Sequence, residues 1–332
     1  MDERENARYW EENAPDWVRL VRKGFDESRD LVNSPAFFAM LPDVRGLAGL
    51  DLGCGEGHNT RQVAARGARM AALDVATAML KATADEERRE PRGIRVVRGS
   101  GLSLPFADGA FDFVTAFMSL MDMPDHTRVI GEVHRVLRPG GFFQLSITHP
   151  CFQTPMWEWL RDENGRRRAV VCGDYFRELD GEIEEWSFSA ARRAGETQRP
   201  FRIPRFTHTL STWLNLFLDA GFALERFAEP TVDAATLAAH PQTYDHRVLS
   251  DAAAAQAAIG DQRGWRRGRG PTEARRRARR HRSASFIGVT NGEAGKPCAE
   301  HWRAGRFRGD RTRAPAPTAE RPRPATSDRR RT

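Results

Sequence analysis

Three glycines fall within five residues, Gly53, Gly55 and Gly57, in the run Leu50-Asp51-Leu52-Gly53-Cys54-Gly55-Glu56-Gly57-His58-Asn59-Thr60. An apolar stretch precedes them and a helix-forming stretch follows, the context in which a glycine loop carries meaning. Glycine lets a backbone turn sharply and approach a ligand with no Cβ in the way. The first amides of the helix then favour an anionic group. The spacing separates two ligand chemistries. A dinucleotide loop reads G-x-G-x-x-G; here the last position is His58, and the third glycine comes one residue early. Asp51 stands just before the turn, where its charge opposes a pyrophosphate and suits a cationic sulfonium compound carrying an ammonium group. Asp74 follows about 20 residues beyond the loop, where a carboxylate receives ribose hydroxyls.

Groups able to move a proton are fewer. His149 lies just past the fifth apolar run, at the carboxyl end where α/β sheets bind ligands, and imidazole titrates near neutrality. It serves either as a general base or as a hydrogen-bonded anchor for the turn at Pro150. His208, before a helix starting at residue 210, is a second base candidate or a surface histidine. Asp122 orients a base or caps a helix, and Tyr175 contacts substrate or packs in the core. His149, Cys151 and Cys172 follow no metal-ligand rhythm, and the four cysteines form no CxxC pair, so no metal is expected. Trp10, Trp17, Phe152, Trp157 and Trp186 suit a lid and pocket wall for an apolar or aromatic acceptor, or plain core packing.

These residues need elements to hold them. Residues 5–20 read as an amphipathic helix, and Asn33-Ser34-Pro35 starts a short one through Met40. Leu47–Leu52, Met70–Leu73, Ile94–Val97, Phe111–Phe117 and Phe142–Ile147 read as strands. Helices at Asn59–Arg66, Ala76 to about Glu90 and Thr127–Leu137 alternate with them, which implies a parallel sheet covered on both faces. Residues 150–206 break the rhythm and read as an insertion, a β-hairpin over the open edge of the sheet. Leu210–Ala220 resumes as a helix and Phe222–Phe227 as a strand. The chain thus divides into an N-terminal helical lid (1–45), a ligand-binding domain (46–250) and a basic low-complexity tail (251–332). The tail carries net +13 and the rest net −6. Arginine, alanine, glycine and proline dominate the tail, too little apolar area to offset ordering entropy. No apolar run of about 18 residues exists to span a membrane, and the charged start is no secretory signal, so a cytoplasmic location is expected.

With these marks in order, the sequence resembles the class I S-adenosylmethionine-dependent methyltransferases, and within them the ubiquinone/menaquinone-type small-molecule branch. The resemblance runs from about Tyr9 to Val248. It is carried by LDLGCGEG at 50–57, Asp74, LPFADGAFDFV at 104–114, RVLRPGGF at 135–142 and SITHPCF at 146–152. It implies a doubly wound, mostly parallel Rossmann-like α/β sheet with helices on both faces and a lid insertion after the fifth strand. It also implies S-adenosylmethionine as cofactor, with Asp51, Gly53, Gly55 and Gly57 cradling the methionine part and Cys54 and Asn59 in the same loop. Asp74 would hold the ribose, Val75 and Met79 would flank the adenine, and Ser100-Gly101-Leu102 would lie at its edge. Many relatives have aspartate where Ser100 stands. Phe117 and Met118 would lie near the sulfur. Several relatives have a His-His pair where this chain has Met121-Asp122. The last strand of the fold is expected after Asp245-His246-Arg247-Val248; Ala284–Thr290 takes that place, or the tail is an out-of-frame extension.

The expected function is methyl transfer to oxygen, nitrogen or carbon of a small-molecule acceptor. A base is needed only where that atom is an alcohol, a phenol or an acidic carbon. One alternative is an RNA or DNA methyltransferase anchored by the basic tail; the acidic body and the lack of an Asn/Asp-Pro-Pro-aromatic tetrapeptide count against it. The other is a non-catalytic cofactor-binding domain.

Overall fold

The computed structural model describes residues 1–165, 167–244 and 252–259. Helices α1 (Glu3–Arg22) and α2 (Ser34–Met40) come first, joined by a π-helical turn at Arg29–Asn33. The short apolar runs then become β1 (Ala48–Leu52), β2 (Arg69–Asp74), β3 (Arg95–Arg98), β4 (Phe111–Phe117) and β5 (Leu137–Thr148). They alternate with α3 (His58–Ala65), α4 (Thr77–Arg89) and α5 (His126–Val136). β1 and β2 are buried almost throughout, as strands covered on both faces must be. β1 pairs in parallel with β2 on one side (Asp51↔Ala72) and β4 on the other (Asp51↔Thr115). The strand order therefore reverses at β1, and the crevice beyond its carboxyl end is where such sheets take ligands.

Residues 150–206 form two antiparallel hairpins rather than one. The first joins β6 (Met156–Arg161) to β7 (Arg167–Gly173); the second joins β8 (Asp180–Trp186) to β9 (Phe201–Phe206), with α6 (Ser189–Arg193) between its strands. They were expected over the sheet's open edge. Instead, β8 and β9 share a cavity with the carboxyl ends of β1, β2 and β4. α1 is fastened to this hairpin. The Asn13 amide donates to the Arg202 carbonyl (3.0 Å) and accepts from its N–H (3.3 Å), while Trp17 packs on Phe188 and Phe201.

α7 (Leu210–Asp219), β10 (Phe222–Ala228), α8 (Ala234–Ala239) and β11 (Ala252–Ile259) complete the described chain. The seven-stranded sheet runs β10-β11-β5-β4-β1-β2-β3, with β11 antiparallel to both neighbours. This corrects the expected boundary at residue 250, because Ala252–Ile259, assigned to the tail by composition, is an interior strand. Alanine has little intrinsic strand preference. Its neighbours supply the bulk: Ala257 pairs with Phe143 and Leu224, and Ala253, Ala255 and Ala257 share a core with Phe143, Phe217 and Phe222. On the other face Gln256 donates to Gln144, which donates to the Phe37 carbonyl (2.7 Å). The expected strand at Ala284–Thr290 lies outside the described residues.

Ala257 is fully buried. Ala257→Phe is therefore expected to lower unfolding stability by about 1–3 kcal/mol, the usual penalty for overpacking, seen as a lower urea midpoint. An unaltered midpoint would mean that another segment fills this slot.

Candidate active site

β1 ends at Leu52, and the chain reverses through Gly53 and Gly55 at φ +73° and +55°, in the left-handed region that strains other residues. At Gly53 space adds a second demand, since a Cβ there would come within 2.5 Å of the Ser119 Cβ. Gly55 instead faces open space, with nothing within 4 Å of where a Cβ would point. Asp74, at the end of β2, pins the loop. Its Oδ2 accepts from the Gly55 amide and its Oδ1 from the Ala76 amide, both at 2.9 Å. Burial raises the Asp74 carboxyl above the usual range, and these amides act against that rise.

A cavity of about 360 Å³ opens beyond the loop. Gly53, Cys54, Gly55, Asn59 and Asp74 line its loop end. Val75, Met79 and the Ser100-Gly101-Leu102 turn line it further along, as do Phe117 and Met118 past the end of β4. Two residues expected to touch the ligand do not line it. Asp51 is 2% exposed and lies under the loop, accepting hydrogen bonds from the Thr60 and Thr115 hydroxyls. Burial lifts its carboxyl to about 6 against those two bonds. Gly57 lies against Thr83, where its missing side chain lets α3 approach α4.

Three buried acceptors around this cavity, the Oδ1 atoms of Asn59, Asn33 and Asn6, have no hydrogen-bond partner among the described residues. A buried amide oxygen left unpaired is costly. All three belong to residues that line one cavity. Together with the open face of Gly55, they fit a ligand that carries ammonium and hydroxyl donors.

Of the three proton-moving candidates, the structure brings only Asp122 to the cavity. Asp122 ends a 3₁₀ turn, Leu120–Asp122, and its carbonyl accepts from the Asn6 amide (2.9 Å). Burial pushes its carboxyl well above the usual range; Arg205 opposes the rise and Glu184 adds to it. Arg205 pairs with Glu184 (3.3 Å) and donates to the Gln153 carbonyl (2.6 Å). All three line the cavity beside Trp186.

The expectation of a base at His149 or His208 is corrected by their contacts. His149 is 1% exposed and does not line the cavity. Its Nδ1 accepts from the Cys151 amide (3.2 Å), which leaves Nε2 to donate to Glu229 (2.6 Å). It braces the turn after β5. His208 sits between Glu178 (2.9 Å) and His126 (3.0 Å), and the His126 Nε2 donates to the Leu120 carbonyl (3.0 Å). Burial, with His208 adding, holds His126 down to about 3, so it stays neutral. This chain of contacts braces the turn that presents Asp122. The Tyr175 hydroxyl accepts from the Leu210 amide (2.8 Å), at the start of α7.

Sequence reasoning missed several lining residues. Asn6 lies one helical turn before Trp10, itself expected in the pocket wall, but an amphipathic face shows only that something is covered. Arg29 is held by Asp30 (2.7 Å) and Glu56 (3.3 Å), and nothing local distinguishes it from a surface arginine. Glu184 and Arg205 meet only because β8 and β9 pair.

Residues 50–145 match a family described as a methyltransferase domain. A demethylmenaquinone methyltransferase of Thermobifida fusca is 34% identical over 123 residues, 37% of this chain and 52% of that protein. One from Lactococcus lactis is 36% identical over 115 residues, 33% of this chain and 46% of that protein. The chain thus spans about half the length of these curated relatives. Among solved structures, an S-adenosylmethionine-dependent methyltransferase of Mesorhizobium loti is 28% identical with a TM-score of 0.57, covering 68% of this chain and 96% of that one. A second, from Listeria monocytogenes, also aligns at 0.57 with 22% identity, covers 69% and 97%, and supports the fold alone. Among the described residues no helix is long and apolar enough to cross a membrane.

Proposed function

We propose that this chain, whose core is a class I S-adenosylmethionine-dependent methyltransferase domain, methylates an ionisable oxygen or carbon of a small-molecule acceptor, with Asp122 taking the proton. One observation carries the reading: a single cavity joins the glycine loop and Asp74 to the half-buried Asp122, whose carboxyl is raised and forms no ion pair among the described residues. Bound at the loop end, S-adenosylmethionine supplies a methyl group already activated on a sulfonium sulfur. The protein's task is therefore orientation, exclusion of water and proton removal.

At the loop end Asp74 would receive the ribose hydroxyls, and Asn59 would accept from the ammonium group. Arg29, held by Asp30 and Glu56, lines the cavity and would pair with the carboxylate of the methionine part. Asp51 acts from beneath the loop through charge alone. Trp10 and Trp17 on α1 keep water out. At the other end Asp122 draws the proton from the acceptor as its oxygen or carbon is methylated. A base held well above the ordinary carboxylate range is better matched to a weakly acidic hydroxyl than an exposed aspartate. The relatives named as demethylmenaquinone methyltransferases point to a quinone-type ring as the acceptor head.

A nucleic-acid acceptor would need residues 251–332, and the part of them that is described, Ala252–Ile259, is a buried strand. The test is transfer of labelled methyl from S-adenosylmethionine to naphthols, with the matching naphthylamines alongside. Label is expected in the naphthols. Label in the amines alone would overturn the role of Asp122, and label in neither would overturn the proposed reaction.

A further inference from the structure

The inner cavity, about 360 Å³, lies near the lower end of the range of roughly 300–1,000 Å³ for ligand pockets. With the cofactor at its loop end, only a small reacting head fits beside Asp122. Anything larger must continue outward. Asp26, Ser28, Gln153, Glu184 and Trp186 line both this cavity and a second hollow of about 1010 Å³. The second hollow lies between the β6–β7 hairpin and the segment from β8 into α6.

Its walls combine rings and guanidinium groups. Trp157 and Trp159 stand two apart on β6 and so share one face of the strand, and the Arg167 guanidinium lies 4.8 Å over the Trp159 ring. Arg161, at the end of β6, donates to the Gly165 carbonyl (2.9 Å), and Arg192, on α6, to the Ser189 hydroxyl (3.3 Å). Neither forms an ion pair among the described residues. Their neighbours do: Arg168 pairs with Asp162 and Arg193 with Glu27. Asp26, Glu27, Glu184 and Glu185 line the hollow too, but Glu27 is held by Arg193 and Glu184 by Arg205. Two guanidinium groups outside any ion pair among the described residues, on different elements around one hollow and beside indole rings, suit an anionic group on an apolar or aromatic body.

We infer that the acceptor is an extended amphiphile. Its small methyl-accepting head enters beside Asp122, its body lies along Trp186, Trp157 and Trp159, and its far end carries a phosphate or carboxylate held by Arg161 and Arg192. This rests on the inner cavity being the acceptor's, as argued above.

Two probes separate the claims. The first is a pair of phenols that differ only in whether a ten-carbon chain ends in phosphate or in a methyl group. For the R161A/R192A double variant, kcat/KM on the phosphorylated phenol is expected to fall, relative to the uncharged one, by about tenfold or more, as for loss of charge-assisted hydrogen bonds. An unchanged ratio would overturn the inference. The second is decyl phosphate, titrated against tryptophan fluorescence without turnover. It should bind the full-length protein and bind more weakly to the double variant, whose circular dichroism should match the parent because both arginines are exposed. If neither phenol is methylated while decyl phosphate binds through these arginines, the proposed reaction fails and the anion site stands. Binding that the double variant leaves unaltered would remove the anion site.

Discussion

Asp122→Asn is expected to lower turnover by about 10²–10⁴-fold, the usual contribution of a positioned general base, while leaving cofactor affinity unchanged. Asparagine keeps the size of the side chain. The backbone contact to Asn6 does not involve the side chain, so the 3₁₀ turn is retained. What is lost is the oxygen that takes the proton. An interaction made only as the acceptor reacts lowers kcat and kcat/KM together. The pH dependence has a definite sign. Burial, with Glu184 adding and Arg205 opposing, raises the Asp122 carboxyl, and the group works ionised, so the rate should climb as pH rises through that raised value. The variant should lose this limb. Stability runs the other way: the folded protein holds this proton more tightly than the unfolded chain, so raising pH from the ordinary carboxylate value through the raised one costs stability. Relative to the parent, the asparagine variant should gain stability across that window. Undiminished turnover in Asp122→Asn would remove the residue from the mechanism.

Asp74→Ala should weaken cofactor binding by about 100-fold or more, since it deletes charge-assisted hydrogen bonds to both loop and ligand. In the structure its two oxygens pin the amides of Gly55 and Ala76. Asp74 also lines the cavity. Alanine therefore removes the ligand's partner and frees the loop that must approach it. Asp74→Asn keeps one acceptor oxygen and should fall between. Equal affinity in all three proteins, by calorimetric titration, would place the ribose elsewhere.

Local physics explains what the sequence revealed. Glycine at 53 and 55 is demanded by backbone angles and close approach within a few residues, so the loop was legible, and Asp74 followed from strand order. Asp51 reads in the sequence as a charge beside the loop, yet whether it touches the cavity depends on the Thr60 and Thr115 hydroxyls that turn it under the loop. His149 had suitable chemistry, but its partners Cys151 and Glu229 hold its ring away from the cavity. The acceptor end was least legible. Asp122, Glu184 and Arg205 come from separate elements, and only the pairing of β8 with β9 brings the last two together. β11 was hidden for the opposite reason: a run of alanines reads as tail by composition, whereas here it fills a slot whose neighbours, Phe143 and Phe222 among them, carry the bulk.

The most direct test is calorimetric titration of the unaltered protein with S-adenosylmethionine, its demethylated product and NAD. Both sulfur compounds should bind with one site per chain, and NAD should give no heat of binding. Binding of NAD with no response to either sulfur compound would contradict the assignment of the glycine loop and, with it, the reaction built upon it.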